Sequence, residues 1–476
     1  MEDSAYVLAP HVALRSWECV PYASIERFKA RPRPLSAEEF RVALACDGST
    51  PIPSSDALGV LLERGLVVPC APGAVELEPW QRYRHCPNRV MPWLALEITS
   101  RCNYNCIHCF NAVDNERLHA EMSFSQVEQV LDGAQAAGVN AVLLTGGEPL
   151  MHPRFLDIVA AVYERGMFVF EINTNGRFLT PELLDNIAAL GYKPEIKISF
   201  DGVGYHDWMR ACPGAEADAL RAIKLCVSKG FPVRVQLNFN RKNRESILPS
   251  LELLDGMGVE RARVIPTVPS VRWEMNAQGQ CLEWEEYLAA FLEIAAAYAR
   301  GQHAMELDGW RVATLYPARR AFKLAPVRYS EKTFKESRPC CAQINGMAAV
   351  AADGELYPCL QCSGWYSAHG VSFGNVFEDG FDAAIVGESY CQVAHATIAD
   401  KIAHLRQPGS RGRSRSCAEC RWLTWCAGGC PALGTLISNG DTLAPDPCAC
   451  KFFDASWPAR FAQNLSPWRC LSEIPA

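Results

Sequence analysis

The stretch WLALEITSRCNYNCIHC, residues 93–109, decides how the rest of the chain is interpreted. It begins with WLALEIT, an apolar run with the length and composition of a buried β-strand. Cys102, Cys106 and Cys109 follow, with three and then two residues between them. Active sites of parallel α/β sheets collect where the strands end, so this loop is well placed for chemistry.

The strand pattern continues beyond this loop. Between 93 and 270, short apolar runs alternate with helical patterns, and the further runs are AVLLT, MFVFEINT, EIKISF, VRVQLNF and ARVIPT. Such alternation predicts a parallel sheet with right-handed crossovers. About six units are visible, which is fewer than the roughly eight of a closed barrel. The predicted fold class is therefore α/β, with a partial (β/α)6 TIM barrel.

The regions on either side differ from this barrel. Short apolar runs near the N-terminus precede two helical patterns, LSAEEFRVALAC, with Ser36 as its N-cap, and SSDALGVLLERG, which together predict a winged-helix-like module. Half of the 22 cysteines lie between 340 and 450, where regular patterns are sparse, and this predicts a small loop-rich domain held by metal. The predicted domains are a winged-helix-like module (1–80), a linker (81–92), the partial barrel (93–270), a helical bridge (271–335), and a C-terminal cysteine-rich domain with its tail (336–476).

Composition narrows the class of protein. A net charge of -7 argues against broad attachment to nucleic acid or to an anionic membrane. No apolar run is long enough to span a bilayer, and the opening MEDSAYVLAP lacks the pattern of a secretory signal, so we expect a cytoplasmic protein. In a large chain of this kind, abundant cysteine favours metal or cluster ligation over disulfides.

The spacing of Cys102, Cys106 and Cys109 suits an iron–sulfur cubane. Three thiolates satisfy three irons and leave the fourth iron open for a substrate or cofactor. A zinc site would need a fourth protein ligand, and His108 is sterically awkward in that role because it stands between two of the cysteines. A third interpretation is that the cysteines are buried and bind nothing.

A second motif lies at the end of the next predicted strand. TGGEP, residues 145–149, follows AVLLT, and its glycines let the backbone approach a ligand closely, while Glu148 offers a counter-charge for an ammonium group. Together, CX3CX2C and TGGEP resemble the radical S-adenosylmethionine (SAM) superfamily. The resemblance implies a 4Fe–4S cluster on the three cysteines and SAM at Gly146, Gly147 and Glu148. Reductive cleavage of SAM would yield a 5′-deoxyadenosyl radical that removes a hydrogen from the substrate.

Further SAM contacts follow from the same resemblance. Later strands end in NTNG, SFDG and QLNFN. The resemblance makes Ser199 and Asn238 candidates for ribose or carboxylate contacts, Arg210 a candidate for the methionine carboxylate, and His108 a neighbour of the adenine. A polar residue at a strand end can also simply cap a loop.

The C-terminal cysteines form a second array. CAECRWLTWCAGGC contains Cys417, Cys420, Cys426 and Cys430, while Cys341, Gly354 and Cys359 lie upstream and Cys448 lies downstream. This order resembles the SPASM extension of peptide-modifying radical enzymes and implies a C-terminal loop-rich iron–sulfur domain with two auxiliary 4Fe–4S clusters, three clusters in all. The resemblance assigns Cys417, Cys420, Cys426 and Cys448 to one cluster, and Cys341, Cys359 and Cys430 to the other.

Several alternatives stay open in this array. Two zinc ribbons could also use CX2C pairs. The fourth ligand of the second auxiliary cluster could be Cys340 or Cys362, or the site could be open to substrate. Cys450 competes with Cys448 for the same role.

The N-terminal module has two functional interpretations and one structural one. A winged helix can read DNA, but the two helical patterns carry little positive charge, which disfavours a nucleic-acid partner. The order of strands and helices resembles the precursor-recognition domains of peptide-modifying enzymes, which pair a strand edge with an extended leader peptide. The third interpretation is a structural cap on the barrel.

The predicted function is that of a radical SAM maturase of a ribosomally made precursor peptide. It would bind the leader at 1–80, abstract a side-chain hydrogen and oxidatively form a thioether, C–C or C–O crosslink, with a flavodoxin or ferredoxin as electron donor. Leu360 follows Cys359 where sulfatase-maturating enzymes carry an aspartate, which disfavours formylglycine formation. The alternatives are a small-molecule or cofactor-biosynthetic radical SAM oxidoreductase, and a zinc-stapled binding protein without catalysis.

Overall fold

The computed structural model describes residues 4–89, 91–109, 120–268, 270–325, 347–360, 363–405, 420–438 and 440–474. Its strands are β1 (Ala5–Leu8), β2 (Val12–Trp17), β3 (Val20–Glu26), β4 (Arg33–Pro34), β5 (Asp47–Pro51), β6 (Val67–Cys70), β7 (Arg84–His85), β8 (Trp93–Glu97), β9 (Ala141–Thr145), β10 (Phe168–Thr174), β11 (Glu195–Ser199), β12 (Val233–Phe239), β13 (Arg261–Pro266), β14 (Glu306–Gly309), β15 (Ala313–Tyr316), β16 (Ala321–Leu324), β17 (Met347–Val350), β18 (Leu356–Tyr357) and β19 (Arg469–Cys470).

The α-helices are α1 (Ala37–Ala45), α2 (Asp56–Glu63), α3 (Phe124–Ala136), α4 (Phe155–Glu164), α5 (Pro181–Ala189), α6 (His206–Arg210), α7 (Ala215–Ser228), α8 (Ile247–Gly256), α9 (Val271–Ala277), α10 (Trp284–Arg300), α11 (Ser363–Ala368), α12 (Phe381–Ala384), α13 (Glu388–Ala394), α14 (Ile398–Leu405), α15 (Leu423–Cys426), α16 (Pro431–Ser438), α17 (Pro447–Asp454) and α18 (Trp457–Asn464). Short 3₁₀ turns cover Pro149–Met151, Arg244–Ser246 and Pro317–Arg319. None of the described helices combines the length and the apolar character that crossing a bilayer requires.

Polar caps set where several helices begin. Ser36 accepts a hydrogen bond from the backbone N–H of Glu39 and completes a capping box at α1, as the sequence predicts. Ser123 starts α3 in the same way, and Thr180 caps α5 ahead of Pro181. These helices then return the chain to the start of the next strand.

A large open sheet organises the barrel. Its strands lie in the order β18-β17-β8-β9-β10-β11-β12-β13-β14-β15-β16-β19, and every neighbouring pair from β17 to β14 is parallel. The six strands β8 to β13 are those that the sequence predicts, and within the described residues the two ends of the sheet do not pair with each other. The partial barrel is therefore confirmed, extended by β14 and β17 at its two sides.

The barrel core explains why β8 and β9 have nearly continuous apolar sequences. All five residues of β9 are buried, and so are four of the five in β8. Both faces of these two strands exclude water. The strands β11, β12 and β13 instead alternate buried with half-buried residues, and the half-buried positions include Lys197, Gln236 and Arg263.

The N-terminal region forms two small sheets. One has the order β5-β1-β6 and packs its apolar face against α1 and α2, with Phe40, Leu58 and Leu61 in its core. The other has the order β4-β3-β2-β7. Both β2 and β3 contact the barrel: the Trp17 indole donates to the carbonyl of Ala137 over 2.9 Å, and the Asn140 amide donates to the carbonyl of Glu26 over 3.4 Å.

The described part of the C-terminal region consists of short helices joined by loops. The helices α11 to α18 contain between four and eight residues each. Before them, β17 pairs with β8 and so joins this region directly to the strand that carries the first cysteine motif. The cysteine-rich segment is thus anchored at the edge of the barrel.

Candidate active site

The cysteine loop after β8 is held by neighbouring elements. Cys102, Cys106 and Cys109 pack into one cluster with Tyr104 and Ala215. The Tyr104 hydroxyl donates to Asp218 on α7 over 3.1 Å, and the backbone N–H of Tyr104 points at the Cys102 sulfur, 3.4 Å away. The structure therefore brings the three predicted cluster ligands together on a loop whose shape is set by its surroundings.

Gly146 and Gly147 are required by the close approach of two loops. The backbone N–H of Gly147 donates to the carbonyl of Thr99 over 2.8 Å, so the TGGEP turn lies directly against the start of the cysteine loop. A Cβ at Gly146 would stand 2.3 Å from the Thr99 oxygen, and one at Gly147 would stand 2.3 Å from the Arg101 oxygen. A larger residue at either position would therefore displace the cysteine loop, which is a structural reason for glycine besides the predicted approach of a cofactor.

Glu148 is buried and links β9 to β10. Its carboxylate accepts hydrogen bonds from the Thr174 hydroxyl at 2.7 Å, from the backbone N–H of Asn175 at 2.8 Å and from that of Leu150 at 3.2 Å. Burial raises the pKa of Glu148 to about 7, against the opposing effect of these bonds. A carboxylate has about four acceptor positions, so Glu148 can still accept one bond from a bound cation.

A buried network centred on Asp201 connects the other predicted contacts. Asp201 pairs with the Arg210 guanidinium at 2.8 Å and accepts a hydrogen bond from the Asn238 amide at 3.1 Å. The Asn238 amide nitrogen is also 3.1 Å from His108 Nε2, and Arg210 Nη1 is 3.7 Å from the Cys106 sulfur. His108, Asn238, Arg210 and Cys106 therefore belong to one connected group.

The electrostatics of this network are specific. Burial alone would raise the pKa of Asp201, but the Arg210 charge and a hydrogen bond from His206 hold it well below its usual range. Burial, with the nearby Arg210 charge, lowers the pKa of His108 to about 4. At neutral pH the site thus contains an ionised Asp201, a cationic Arg210 and a neutral His108 imidazole.

Ser199 occupies a different position from this group. It is the last residue of β11, is half-buried and pairs in register with Gln236 of β12. It lies at the same sheet edge as Asp201, and its contact with a cofactor stays a prediction.

The described part of the auxiliary cysteine array is organised by Asp446. This buried carboxylate accepts hydrogen bonds from the backbone N–H groups of Cys430, at 3.1 Å, and Cys448, at 2.8 Å. It also pairs with Arg311. Two predicted ligands, which the resemblance assigns to different clusters, are therefore held by one side chain.

The other members of this array divide into two groups. The first group lies within the described residues and contains Cys359, which is buried, together with Cys420, Cys426 and Cys450. Gly354, five positions before Cys359, has φ +86, and a Cβ there would stand 2.4 Å from the Phe377 ring. The remaining predicted ligands, Cys340, Cys341, Cys362 and Cys417, lie outside the described residues.

Comparison with protein families agrees with this geometry. Residues 96–254 match the family model described as the Radical SAM superfamily, and residues 340–421 match the SPASM model, described as an iron-sulfur cluster-binding domain. The chain is a radical SAM enzyme with a SPASM domain. Its radical SAM domain binds a 4Fe–4S cluster and SAM, and its SPASM domain binds auxiliary iron–sulfur clusters. The alternative of a zinc-stapled, non-catalytic protein is wrong.

Individual relatives of this radical SAM enzyme have several named activities. The AdoMet-dependent heme synthase of Methanosarcina barkeri is 27% identical over 275 residues, covering 56% of this chain and 76% of the relative. The mycofactocin maturase MftC of Mycobacterium ulcerans is 26% identical over 350 residues, covering 71% of this chain and 82% of the relative. The crystal structure of Streptococcus suis SuiB bound to precursor peptide SuiA has a TM-score of 0.65 at 13% identity, covering 94% of this chain and 100% of that chain. At that identity the likeness shows a shared fold.

The residues at the sheet edge fit the cofactors of a radical SAM enzyme. Buried polar atoms without a partner in the described structure include Asn103 Nδ2, Asn173 Oδ1, Thr267 Oγ1, and Nε and Nη1 of Arg272. Buried polar groups are nearly always hydrogen-bonded, so this set indicates a ligand. When bound, a reduced cluster supplies the electron that cleaves SAM. The described residues contain no group of three or more His, Cys, Asp and Glu side chains arranged to hold a single metal ion.

Sequence reasoning missed Asp201, Arg272 and Asp446. Asp201 belongs to the quoted SFDG motif, and its position before HDWMR, which contains Arg210, was a local signal of an ion pair. Arg272 had no such signal because its partner Asn105 is distant in sequence. Asp446 stands before Pro447 as the N-cap of α17, which is a local signal for its bond to Cys448 but not for its bond to Cys430. Arg272 and Asp446 contact the backbone beside predicted cysteine ligands, and Asp201 reaches Cys106 only through Arg210.

We predict that SAM affinity depends on the ionisation of Glu148. As the pH falls below about 7, protonation of Glu148 removes the counter-charge of the SAM ammonium group, so the dissociation constant should rise by up to about tenfold per pH unit. Glu148→Gln should bind SAM about tenfold more weakly at pH 8 and should lose this dependence. Anaerobic calorimetry at pH values between 6 and 8, roughly one unit apart, measures the SAM dissociation constants of the wild type and of Glu148→Gln.

The matched control for Glu148→Gln is Glu182→Gln, at an exposed acidic residue in the first turn of α5. It should leave both the affinity and its pH dependence unchanged. Wild-type affinity and wild-type pH dependence in Glu148→Gln would contradict the ammonium role and leave Glu148 as a link between two strands.

Proposed function

We propose that this enzyme is a maturase that abstracts a hydrogen from a ribosomally made precursor peptide and oxidatively forms a crosslink. The observation that carries the proposal is the succession of three parts in one chain: a small module of helices and short sheets, a radical SAM barrel and a SPASM domain. SuiB, which was solved with a precursor peptide, matches over 94% of this chain, including at least part of the N-terminal module.

The surface of the N-terminal module supports peptide binding. Six of the sixteen large apolar side chains exposed in the described structure lie within the first 85 residues, and they are Tyr22, Leu44, Val60, Leu62, Val75 and Tyr83. Exposed apolar surface that is concentrated in one module is typical of interaction sites.

The three-stranded sheet also has a suitable edge. Along β5, the carbonyl of Gly48 already accepts a hydrogen bond from the backbone N–H of Gly73, so part of this edge is occupied. The other edge strand, β6, contacts α2, which carries the exposed Val60 and Leu62. We therefore place the leader along β6, where Pro69 removes one possible donor and side-chain contacts with α2 would add affinity.

The proposed reaction balances with the cofactors that the domains bind. One hydrogen atom would leave the peptide for the 5′-deoxyadenosyl radical. As the new bond closes, a proton would leave for solvent and one electron would pass to an auxiliary cluster, so the peptide would lose two hydrogens in all. The electron that cleaves SAM comes from a flavodoxin or ferredoxin, in the reducing cytoplasm.

Co-expression with each small open reading frame encoded beside the gene tests this function. The expected result is one peptide that is lighter by two hydrogens, with tandem mass spectrometry locating the crosslink. Val60→Asp with Leu62→Asp should reduce modification at least about fivefold by weakening docking, while 5′-deoxyadenosine formation without peptide stays unchanged.

The control for docking is Val386→Asp, at a side chain that is 51% exposed in the SPASM region. It should modify the peptide at the wild-type rate. If the Val60/Leu62 variant also modifies the peptide normally, the leader binds elsewhere. If no neighbouring peptide changes mass although 5′-deoxyadenosine forms, the peptide function itself is wrong.

A second candidate function is oxidation of a small molecule in cofactor biosynthesis. The relatives named as heme synthases favour it, because one of them matches more than half of this chain. It predicts unchanged peptides and a small-molecule product that survives mutation of Val60 and Leu62.

A further inference from the structure

One buried cation near the cysteine loop has no anion in the described structure. Arg272 lies on α9, just beyond the end of β13, and is 2% exposed. Its Nη2 donates to the carbonyl of Asn105 over 3.0 Å, while Nε and Nη1 have no hydrogen-bond partner among the described residues. A buried charge without a partner is strongly unfavourable, so this guanidinium is placed to meet an anion that the described residues do not supply.

The contact with Asn105 indicates which anion this is. Asn105 lies directly before Cys106 and three positions after Cys102, so the guanidinium meets the backbone between two predicted ligands of the radical SAM cluster. A 4Fe–4S core held by three thiolates has a net negative charge, and reduction adds another negative charge. Net charge and nearby hydrogen bonds are the main determinants of the potential of such clusters.

Comparison with Arg210 shows why Arg272 is distinctive. Arg210 also approaches the cluster loop, with Nη1 3.7 Å from the Cys106 sulfur. Its charge is already compensated, however, by the ion pair with Asp201 at 2.8 Å. Arg210 therefore has a carboxylate partner, whereas no described carboxylate compensates the charge of Arg272.

We propose that Arg272 is the counter-cation of the radical SAM cluster and that it makes this cluster easier to reduce. The inference rests on Cys102, Cys106 and Cys109 as the cluster ligands. The Arg272 charge is held in place by α9 and by the bond to Asn105, and the burial of the guanidinium keeps water from screening this charge. Arg272 touches none of the reacting atoms and is therefore a positioning residue.

The test is a redox titration of the reconstituted full-length enzyme without SAM, followed by electron paramagnetic resonance. The signal of this cluster is the part of the reduced spectrum that is absent from Cys106→Ala. At a fixed potential, Arg272→Gln should lower the ratio of reduced to oxidised cluster at least about tenfold, a shift of about 59 mV for one electron. Arg272→Lys keeps the charge and should stay within about threefold of wild type.

Controls separate this role from the alternatives. Arg241→Gln removes an exposed arginine that is paired with Glu286, and it should leave the ratio unchanged. A wild-type ratio of reduced to oxidised cluster in Arg272→Gln overturns the proposal. This holds even if the variant binds SAM more weakly, because such a result would assign the guanidinium to the SAM carboxylate. If Arg272→Gln does not fold, Arg272→Lys decides: a ratio within about threefold of wild type supports the role of charge, and a larger fall overturns it. A signal that persists in Cys106→Ala contradicts the ligand assignment instead.

Discussion

Cys106→Ala should abolish formation of 5′-deoxyadenosine while leaving the auxiliary clusters in place. Cys106 is buried within the loop that groups the three predicted ligands, and a cubane held by only two thiolates is not retained. Iron content should fall from about twelve to about eight per chain, if three 4Fe–4S clusters are present. Iron and sulfide analysis after anaerobic reconstitution, with chromatography of the products after dithionite and SAM are added, measures both losses.

The matched control is Cys226→Ala, at a fully buried thiol on α7. Burial raises the pKa of Cys226 to about 12, as befits a small core residue that binds no metal. Cys226→Ala should have the iron content of the wild type and form 5′-deoxyadenosine at the wild-type rate, with at most a change in stability. Wild-type iron content and product formation in Cys106→Ala would refute the assignment of this loop as the radical SAM site.

Local sequence patterns predicted the parts of the structure that depend on local physics. The strands β8 to β13 were predictable because short apolar or alternating runs recur between helical patterns, which indicates a parallel sheet with right-handed crossovers. The loop with Cys102, Cys106 and Cys109 was predictable because its spacing is short and it directly follows a strand. The sheet edge then brings Glu148 and Asn238 to the same side.

Contacts between distant segments were not predictable in this way. Gly147 was interpreted through its approach to a cofactor, whereas the structure places it against the carbonyls of Ser100 and Arg101. Arg210 was predicted to meet the SAM carboxylate, and its strongest described contact is the ion pair with Asp201. Spacing along a chain does not show which buried charge meets which, because that depends on how helices such as α6 pack onto the sheet.

The auxiliary region shows the same division. The spacing of the cysteines indicated a SPASM domain, and the family comparison confirms that domain. The contact of Asp446 with the backbone of Cys430 follows only from the fold, whereas its contact with Cys448 is a local helix cap. Cys448 and Cys450 lie two positions apart on α17, about 200° around the helix, so they face different directions. The two thiols are therefore poorly placed to bind the same cluster together.

Asp201→Asn should strongly destabilise the sheet edge that carries the candidate site. The substitution leaves Arg210 as a buried cation and weakens the contact of the side chain with His206. Losing one partner of a buried ion pair costs about 3–5 kcal/mol. Hydrogen exchange in peptides that contain α6 and the end of β12 should show a fall of this size in the local opening free energy at neutral pH.

The effect should have a defined pH dependence and a matched control. Because the folded state holds the pKa of Asp201 below its unfolded value of about 3.9, the ionised group stabilises the fold above that pH, and the stabilisation disappears as the pH falls further. The difference between wild type and Asp201→Asn should therefore be constant near neutrality and shrink only in strong acid. Asp185→Asn removes an exposed partner of Lys229 and should cost less than about 1 kcal/mol. Equal, small effects of the two substitutions would show that the Asp201 network does not hold the site together.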